Sequence, residues 1–471
     1  MPTLMPKDTR DVLGSNAEGC DSRSLLLDRF CDPTAEREGR QKVFTRAFDD
    51  KKTEAAKSMA WGQFGQRYAE SGNALLLYAQ LQSRLMVNMA GGVMENAGLC
   101  LDRFGLPCIP GSAVKGCARR AATFELLESD SPESKADLLF RLALVFGWGD
   151  TDWKAGRNKP GREVKREPYS DFWWAMAPDT DNRTEDDERR NVTWQQVAGS
   201  VAKRLLDHLR ITKRDHPDEP WHDLPNFAGS VAFLPAYPVD LGKAGKVDGL
   251  PLEVPPLGKL ELDVVTCHHS KYYQGDSAYA LAPDTEEPVP VVFPAVAPGH
   301  ILSFTLAELR RHMPENVKHA RAWLMTGLDS FGLGAKTNAG YGWFDASDTV
   351  HNVVARLVGQ MLEQHRVQQA KTEQDLIAAE AKAAAQRMEQ ERLANAPAHE
   401  RFKVEYGKLG DEPFAGQAKK FEELSDDQRH GFILALKERR DTTKRWAKKK
   451  PELLKPWQDH AKKLQPPVQL P

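Results

Sequence analysis

Between a helical pattern that ends at Ser330 and an aromatic strand that begins at Tyr341, the chain passes Gly332, Gly334, Gly340 and Gly342 around a single Lys336. This stretch, SFGLGAKTNAGYGWF, constrains the fold most, because backbone with positive φ or very close approach is cheap only where glycine stands. It is not the phosphate loop of a nucleotide hydrolase, since Ala335 separates Gly334 from Lys336 and Asp329 stands where the earlier glycine is required. It is not a dinucleotide fingerprint either, because after Gly332 and Gly334 the third glycine falls at Thr337. A glycine loop joining a last helix to a last strand remains.

The flanking chain shows what that helix and strand belong to. From Asn73, NALLLYAQLQSRLMVNM has strand texture, and GLPCIPGSAVKGCARRAATFELLE follows as a turn and a helix. Pro110 fixes the approach, Ser112 is placed to cap, and Val114, Cys117, Ala118, Ala121, Ala122 and Leu126 share one apolar face. Strand texture returns in GSVAFLPAYPVD, KLELDVVTCHH and PVVFPAVAPGHILSFTLAEL, and a helix runs from about Pro314 to Ser330. Strand, helix, strands, helix, strand is the order of a ferredoxin-like βαββαβ unit, which is also the RNA-recognition fold. The predicted class is therefore α+β, with that domain at 73–346. A polar stretch at about 150–225 carries DTDNRTEDDERR and reads as an insertion on the surface. Residues 1–72 read as an N-terminal extension, helical around Gln41 to Tyr68, and residues 347–471 as an all-helical C-terminal extension. The latter opens with a long Gln, Glu and Ala-rich pattern ended at Pro397. It closes in a segment from Lys437 to Lys463 that is dense in Lys and Arg, with Trp446 and Trp457 interleaved. A solvated helical face is the simplest reading of that segment; contact with nucleic acid through stacking and phosphate attraction, or with a partner protein, fits it too.

Composition sets outer limits. The 471 residues are 41% hydrophobic and contain no apolar run of membrane-spanning length. The start, MPTLMPKDTRDVLGS, lacks the charged-then-apolar order of a signal peptide, so a cytoplasmic protein without membrane association is predicted. Cys20, Cys31, Cys100, Cys108, Cys117 and Cys267 form no C-x-x-C pair, which points to free thiols and to neither a metal site nor a cofactor. A formal net charge of −2 argues against a wholly basic nucleic-acid binder, although a local patch binds phosphates while the total stays near zero.

Two stretches and their order carry a resemblance. IPGSAVKGCARR, followed far downstream by GLGAKTNAGYGWF, resembles the RAMP superfamily of CRISPR proteins. Within it, LELDVVTCHHSKYY, then PVPVVFPAVAPG, then the glycine loop is most similar to the sixth-subunit family of the type III-B Cmr effector complex. The resemblance covers roughly Asn73 to Ala346 and leaves both extensions unexplained. It implies a RAMP core of ferredoxin-like fold in a non-catalytic subunit that binds CRISPR RNA and caps a stack of related subunits in antiviral defence. The implied partners are CRISPR RNA, the other Cmr effector subunits and, indirectly, target RNA. In that family the target-cleaving carboxylate belongs to a different, repeated subunit.

Three groups of residues are candidates for contact with RNA. In the glycine loop, Gly332, Gly334, Gly340 and Gly342 let main-chain N–H groups meet phosphate and ribose oxygens, Lys336 adds charge, and Thr337, Asn338 and Tyr341 lie between. The alternative is a strand connection whose glycines only permit tight packing. Ser112, Lys115, Arg119 and Arg120 form the second group, at a helix start whose free N–H groups suit an anion; the alternative is a capped amphipathic helix with solvated basic residues. His268 and His269, near Tyr272 and Tyr273, form the third, as RNA-contacting or structural residues. As acid and base they would instead make the chain a metal-independent endoribonuclease. RAMP endoribonucleases resemble one another in placing a histidine on or near the first helix, and none lies between Pro110 and Asp130. No catalytic residue is therefore expected. A metal held by Cys267, His268 and His269 is disfavoured because adjacent strand residues face opposite ways.

Overall fold

The computed structural model describes residues 6–14, 20, 22–30, 37–48, 55–88, 99–153, 170–275, 281–282, 287–310 and 313–470. Contacts divide the chain into two units, Met1–Glu363 and Gln364–Pro471.

The first unit is built on an antiparallel sheet. Its principal elements are helix α1 (Ala55–Glu70), strand β1 (Ala74–Leu81), helices α2 (Gly111–Glu128), α3 (Pro132–Phe146) and α4 (Arg183–His208), strands β2 (Val231–Phe233), β3 (Leu260–Cys267), β4 (Val289–Val296) and β5 (Ile301–Glu308), helix α5 (Pro314–Ser330) and strand β6 (Phe344–Asp345), beside shorter helices and strands. In the five-stranded main sheet the order is β2-β5-β1-β6, with the short strand Tyr237–Pro238 also paired to β5. β1 pairs with β5 from Ala74↔Ala307 to Gln80↔Ile301, and its far end pairs with β6 at Leu81↔Phe344. β3 and β4 form a separate hairpin, Leu260↔Val296 to Cys267↔Val289.

Both faces of the main sheet are covered, which is why β1 reads as a nearly continuous apolar run rather than an alternation. On one face Leu77, Ala79 and Leu81 meet the buried side of α2, where Val114, Cys117, Ala118, Ala121, Ala122 and Leu126 are all enclosed as their spacing predicts. α2 and α5 cross closely: a Cβ on Gly327 would lie 2.7 Å from the Cys117 carbonyl oxygen. On the other face, Gly65 of α1 sits close enough that a Cβ would be 3.2 Å from Leu76 Cδ2 and Thr305 Oγ1. Beside it, helix α6 (Asp348–Asn395) lays Val350, Val354, Val358 and Leu362 onto Tyr78 and Ile301. Four apolar residues at i, i+4, i+8 and i+12 are a helical stripe, each stabilising by about 1.5–3 kcal/mol on burial.

Two parts of this unit differ from the sequence expectation. The 150–225 stretch is not a surface insertion throughout: α4 opens on polar residues of which Asp186 and Arg190 are already buried, and beyond them it buries Trp194, Val197, Ala198, Val201, Ala202, Leu205 and Leu206 in the main core. The N-terminal segment is fastened to the rest by Arg23. This fully buried residue donates from Nε to the Ala47 carbonyl (2.7 Å) and from Nη1 to those of Gly105 (3.3 Å) and Gly258 (2.5 Å).

The second unit takes the remainder of α6 and helices α7 (Ala398–Gly407), α8 (Asp411–Ala418), α9 (Asp426–Glu438), α10 (Arg440–Lys449) and α11 (Pro451–Lys463). α9 starts in a capping box of Ser425 and Gln428. Trp446 and Trp457 do not stand out among the lysines: both are buried with Phe414, Phe432 and Leu436, and Trp457 Nε1 donates to the Ala418 carbonyl at 3.0 Å. Among the described residues no helix is long and apolar enough to cross a membrane.

Candidate nucleic-acid interface

The glycine loop leaves α5 and returns as β6. Gly332 (φ 68°), Gly334 (φ 104°), Gly340 (φ 88°) and Gly342 (φ 71°) all have positive φ, and Lys336 is left-handed as well (φ 58°). Two of these glycines are also required by space: a Cβ would lie 2.3 Å from the Met86 carbonyl oxygen at Gly334 and 1.9 Å from that of Leu333 at Gly342. The base of the loop is tied by Leu333 N–H to Gly342 O, Ala335 N–H to Met86 O and Gly342 N–H to Arg84 O, each 2.8 Å. At the tip Ala339 and Gly340 N–H groups turn back onto Lys336 and Thr337 carbonyls at 2.9 and 3.0 Å. Among the described residues, the N–H groups of Lys336, Thr337 and Asn338 take no backbone partner, and Gly334, Asn338, Ala339 and Gly340 are exposed.

Lys336 is half-buried, with its ammonium 4.5 Å from the centre of the buried Phe293 ring on β4. Tyr341 donates from its hydroxyl to Asp263 at 2.5 Å. Burial together with this carboxylate pushes the Tyr341 phenol up to about 12. Although burial opposes it, hydrogen bonds from Tyr341 and the Val264 N–H, with Arg84 nearby, hold the Asp263 carboxyl below its usual range. Arg84 bridges Glu261 (3.0 Å) and Asp263 (3.1 Å) on β3. Arg84, Glu261, Asp263 and Phe293 thus shape the loop's flank, and the sequence reading missed them. Acidic residues at i and i+2 of a strand, sharing one face opposite an arginine, were the available signal.

The helix start meets this loop. Cys117 Sγ lies 3.8 Å from Gly332 O, and the Arg120 guanidinium stands 4.9 Å from the centre of the Phe331 ring. Its details differ from the expectation. Pro110 precedes the helix, no side chain caps it, and Ser112 lies inside the first turn, exposed. A Cβ on Gly111 would sit 2.2 Å from the Phe233 carbonyl oxygen, so the entry is held by close backbone packing. Lys115 is not in open solvent: Nζ donates to the Phe146 carbonyl at 2.7 Å, closing the end of α3. Burial, helped by Arg119 and opposed by Asp152, lowers its pKa. Arg119 pairs with Asp152 at 2.9 Å over the Phe172 ring. Of the four, Ser112 and Arg120 are exposed.

His268 and His269 follow β3 at the far end of the hairpin, with ring centres 6.2 Å apart and with Tyr272 and Tyr273 exposed beside them. His268 is five residues beyond Asp263, roughly 16 Å along a strand, so the structure does not bring the histidines to the loop. Among the described residues no group of His, Cys, Asp and Glu is arranged to hold a metal ion. Among the described residues Cys20, Cys100, Cys108 and Cys117 form no disulfide; Cys31 and the Cys267 side chain lie outside the described residues.

No family model matches the chain. A search of curated proteins finds the CRISPR system Cmr subunit Cmr6 of Pyrococcus furiosus, 24% identical over 263 residues, which are 55% of this chain and 64% of that protein. In sequence the chain is similar to this Cmr6 subunit, in line with the resemblance to RAMP-like CRISPR proteins. The alignment spans less than two thirds of that relative. Among solved structures, a type III-B Cmr-beta complex bound to cognate target RNA is similar at 14% identity and a TM-score of 0.34, over 67% of this chain and 77% of that one. The crystal structure of Cmr6 from Pyrococcus furiosus is similar at 20% identity and a TM-score of 0.25, over 58% of this chain and 98% of that one.

Proposed function

We propose that this chain is a non-catalytic RNA-binding subunit of a type III-B (Cmr) effector, which contacts CRISPR RNA along its sugar-phosphate backbone, caps the subunit stack and meets target RNA only indirectly. The observation that carries this reading is the loop itself: four positive-φ glycines, a left-handed Lys336 and an exposed tip beside the α2 motif. Such backbone presents N–H groups to phosphate oxygens without reading a base. A ferredoxin-like core is part of the proposal, and the β2-β5-β1-β6 order supports it: with β1, β2, β5 and β6 as the four strands of βαββαβ, the fourth lies beside the first, then the third, then the second. An RNA-recognition domain stacks bases on its open sheet face. Here α1 and α6 occupy that face, which favours backbone contact at the loop over base reading on the sheet.

The test is a salt titration of binding to an unstructured single-stranded RNA. Lys336→Ala should weaken binding about fivefold and reduce the log–log salt slope by about 0.7, while the melting temperature changes little. An unchanged affinity and slope in the folded variant would leave the loop as a strand connection only.

A further inference from the structure

We propose that the C-terminal unit carries a second RNA-binding surface, a stripe of unpaired cations along α10 that grips the sugar-phosphate backbone of single-stranded RNA without stacking or reading bases. Between Lys437 and Lys463 there are eleven Lys and Arg against four Asp and Glu, in a chain whose formal net charge is −2. On α10 the exposed side chains are Arg440, Lys444, Arg445, Lys448 and Lys449, with Asp441 the one acid, while Thr443 and Trp446 face the core. Spacings of i, i+4 and i+8 put Arg440, Lys444 and Lys448 on one line about 12 Å long, with Arg445 and Lys449 beside it.

A face that served solubility alone would mix its signs. Several arginines elsewhere are paired: Arg84, Arg119, Arg190, Arg204 and Arg439 each bridge a carboxylate. Among the described residues, none of the five on α10 does. Like charges four residues apart oppose the helix. The helix dipole favours Lys448 and Lys449 in the last turn but disfavours Arg440 in the first, so helix stability does not explain the stripe.

What the face lacks points to its occupant. No large apolar side chain is exposed between 398 and 470, so the apolar centre of a protein interface is missing. Lysine is depleted at such interfaces and is a point charge suited to phosphate. With Trp446 and Trp457 in the core, no aromatic platform accompanies the cations, which leaves attraction to phosphates independent of sequence. The choice of RNA rests on the function proposed above; the surface itself is a different part of the molecule from the glycine loop.

The experiment uses the full chain and an unstructured single-stranded RNA of about thirty nucleotides over a salt series. In one variant Lys444, Arg445, Lys448 and Lys449 become Gln, which keeps helix propensity; in a control the exposed α6 residues Lys371, Lys382 and Arg387 become Gln. The α10 variant should lose about two to three units of log–log slope, at about 0.7 per phosphate contact, and at least about tenfold in affinity, with the control near wild type. An α10 variant with wild-type slope and affinity overturns the proposal. So does an equal loss in the control, which would mark a net-charge effect, or intact RNA binding with failed subunit assembly, which would mark a protein-facing surface. Lys336→Ala in the same series separates the two readings, since failure of the loop reading leaves that variant silent while the α10 variant still loses slope.

Discussion

His300 shows how much one enclosed side chain can decide. It precedes β5, is 2% exposed, and its Nδ1 lies 2.7 Å from the Ala297 carbonyl, which can only accept, so Nδ1 carries the proton. Burial pushes the imidazole down to about 4, the Ala297 carbonyl opposing and Arg23 adding to the effect. The folded state therefore refuses a proton that the unfolded chain takes up near its ordinary value of about 6.5. Stability from this residue is present above pH 6.5 and is lost as the pH falls towards 4, by about 3 kcal/mol. Urea unfolding at several pH values should show the wild type losing that much more than His300→Gln over the interval. Parallel profiles for the two proteins would contradict the assignment. Lys115 makes the same point at lower stakes: a lysine one turn into a helix reads as a phosphate ligand in sequence, whereas its carbonyl acceptor is supplied by Phe146, 31 residues away.

At the scale of elements, the glycine loop separates conformational need from spatial need. Gly340 has φ 88° with open space around the position of a Cβ, so Gly340→Ala carries only the left-handed backbone cost, about 1–2 kcal/mol. Gly342 has φ 71° and a Cβ there would meet the Leu333 carbonyl oxygen at 1.9 Å. Gly342→Ala must therefore move backbone and should cost more than about 3 kcal/mol. Chemical denaturation ranks the pair, and equal costs would mean that the loop base yields freely. These glycines were legible in the sequence, as were the buried face of α2 and α5 with its ends at Pro314 and Ser330, because period and punctuation are local signals. What was not legible depends on distant partners. Arg84 meets Asp263 from 179 residues away, and although Glu261 and Asp263 at i and i+2 mark an acidic strand face, nothing near them names the arginine they meet. The polar opening of α4 hid its apolar second half, and the lysines around Trp446 and Trp457 drew attention from the core that both tryptophans build. The covered second face of the sheet was hidden for the same reason, since α1 and α6 reach it from opposite ends of the unit in sequence.

Across the whole molecule, the charge balance conceals a division of labour that the proposed function requires. A net charge of −2 does not attract RNA as a total, yet on the proposed reading the loop offers N–H groups with Lys336 and the α10 stripe offers a local run of positive charge. The proposed function assigns no cleavage to the chain itself, and the histidine pair is where that proposal is most exposed. His268 and His269 lie at the hairpin end, with the Asp263–Tyr341 contact roughly 16 Å back along the strand. If either were a general acid or base, its loss would cost about two to four powers of ten in rate. We predict instead that the chain with both histidines replaced by alanine, assembled with the other Cmr subunits, supports target RNA cleavage at the same periodic sites, with any defect appearing in assembly or RNA retention. A variant complex that assembles fully and holds RNA normally, yet loses cleavage, would make the hairpin tip an active site and this chain an endoribonuclease.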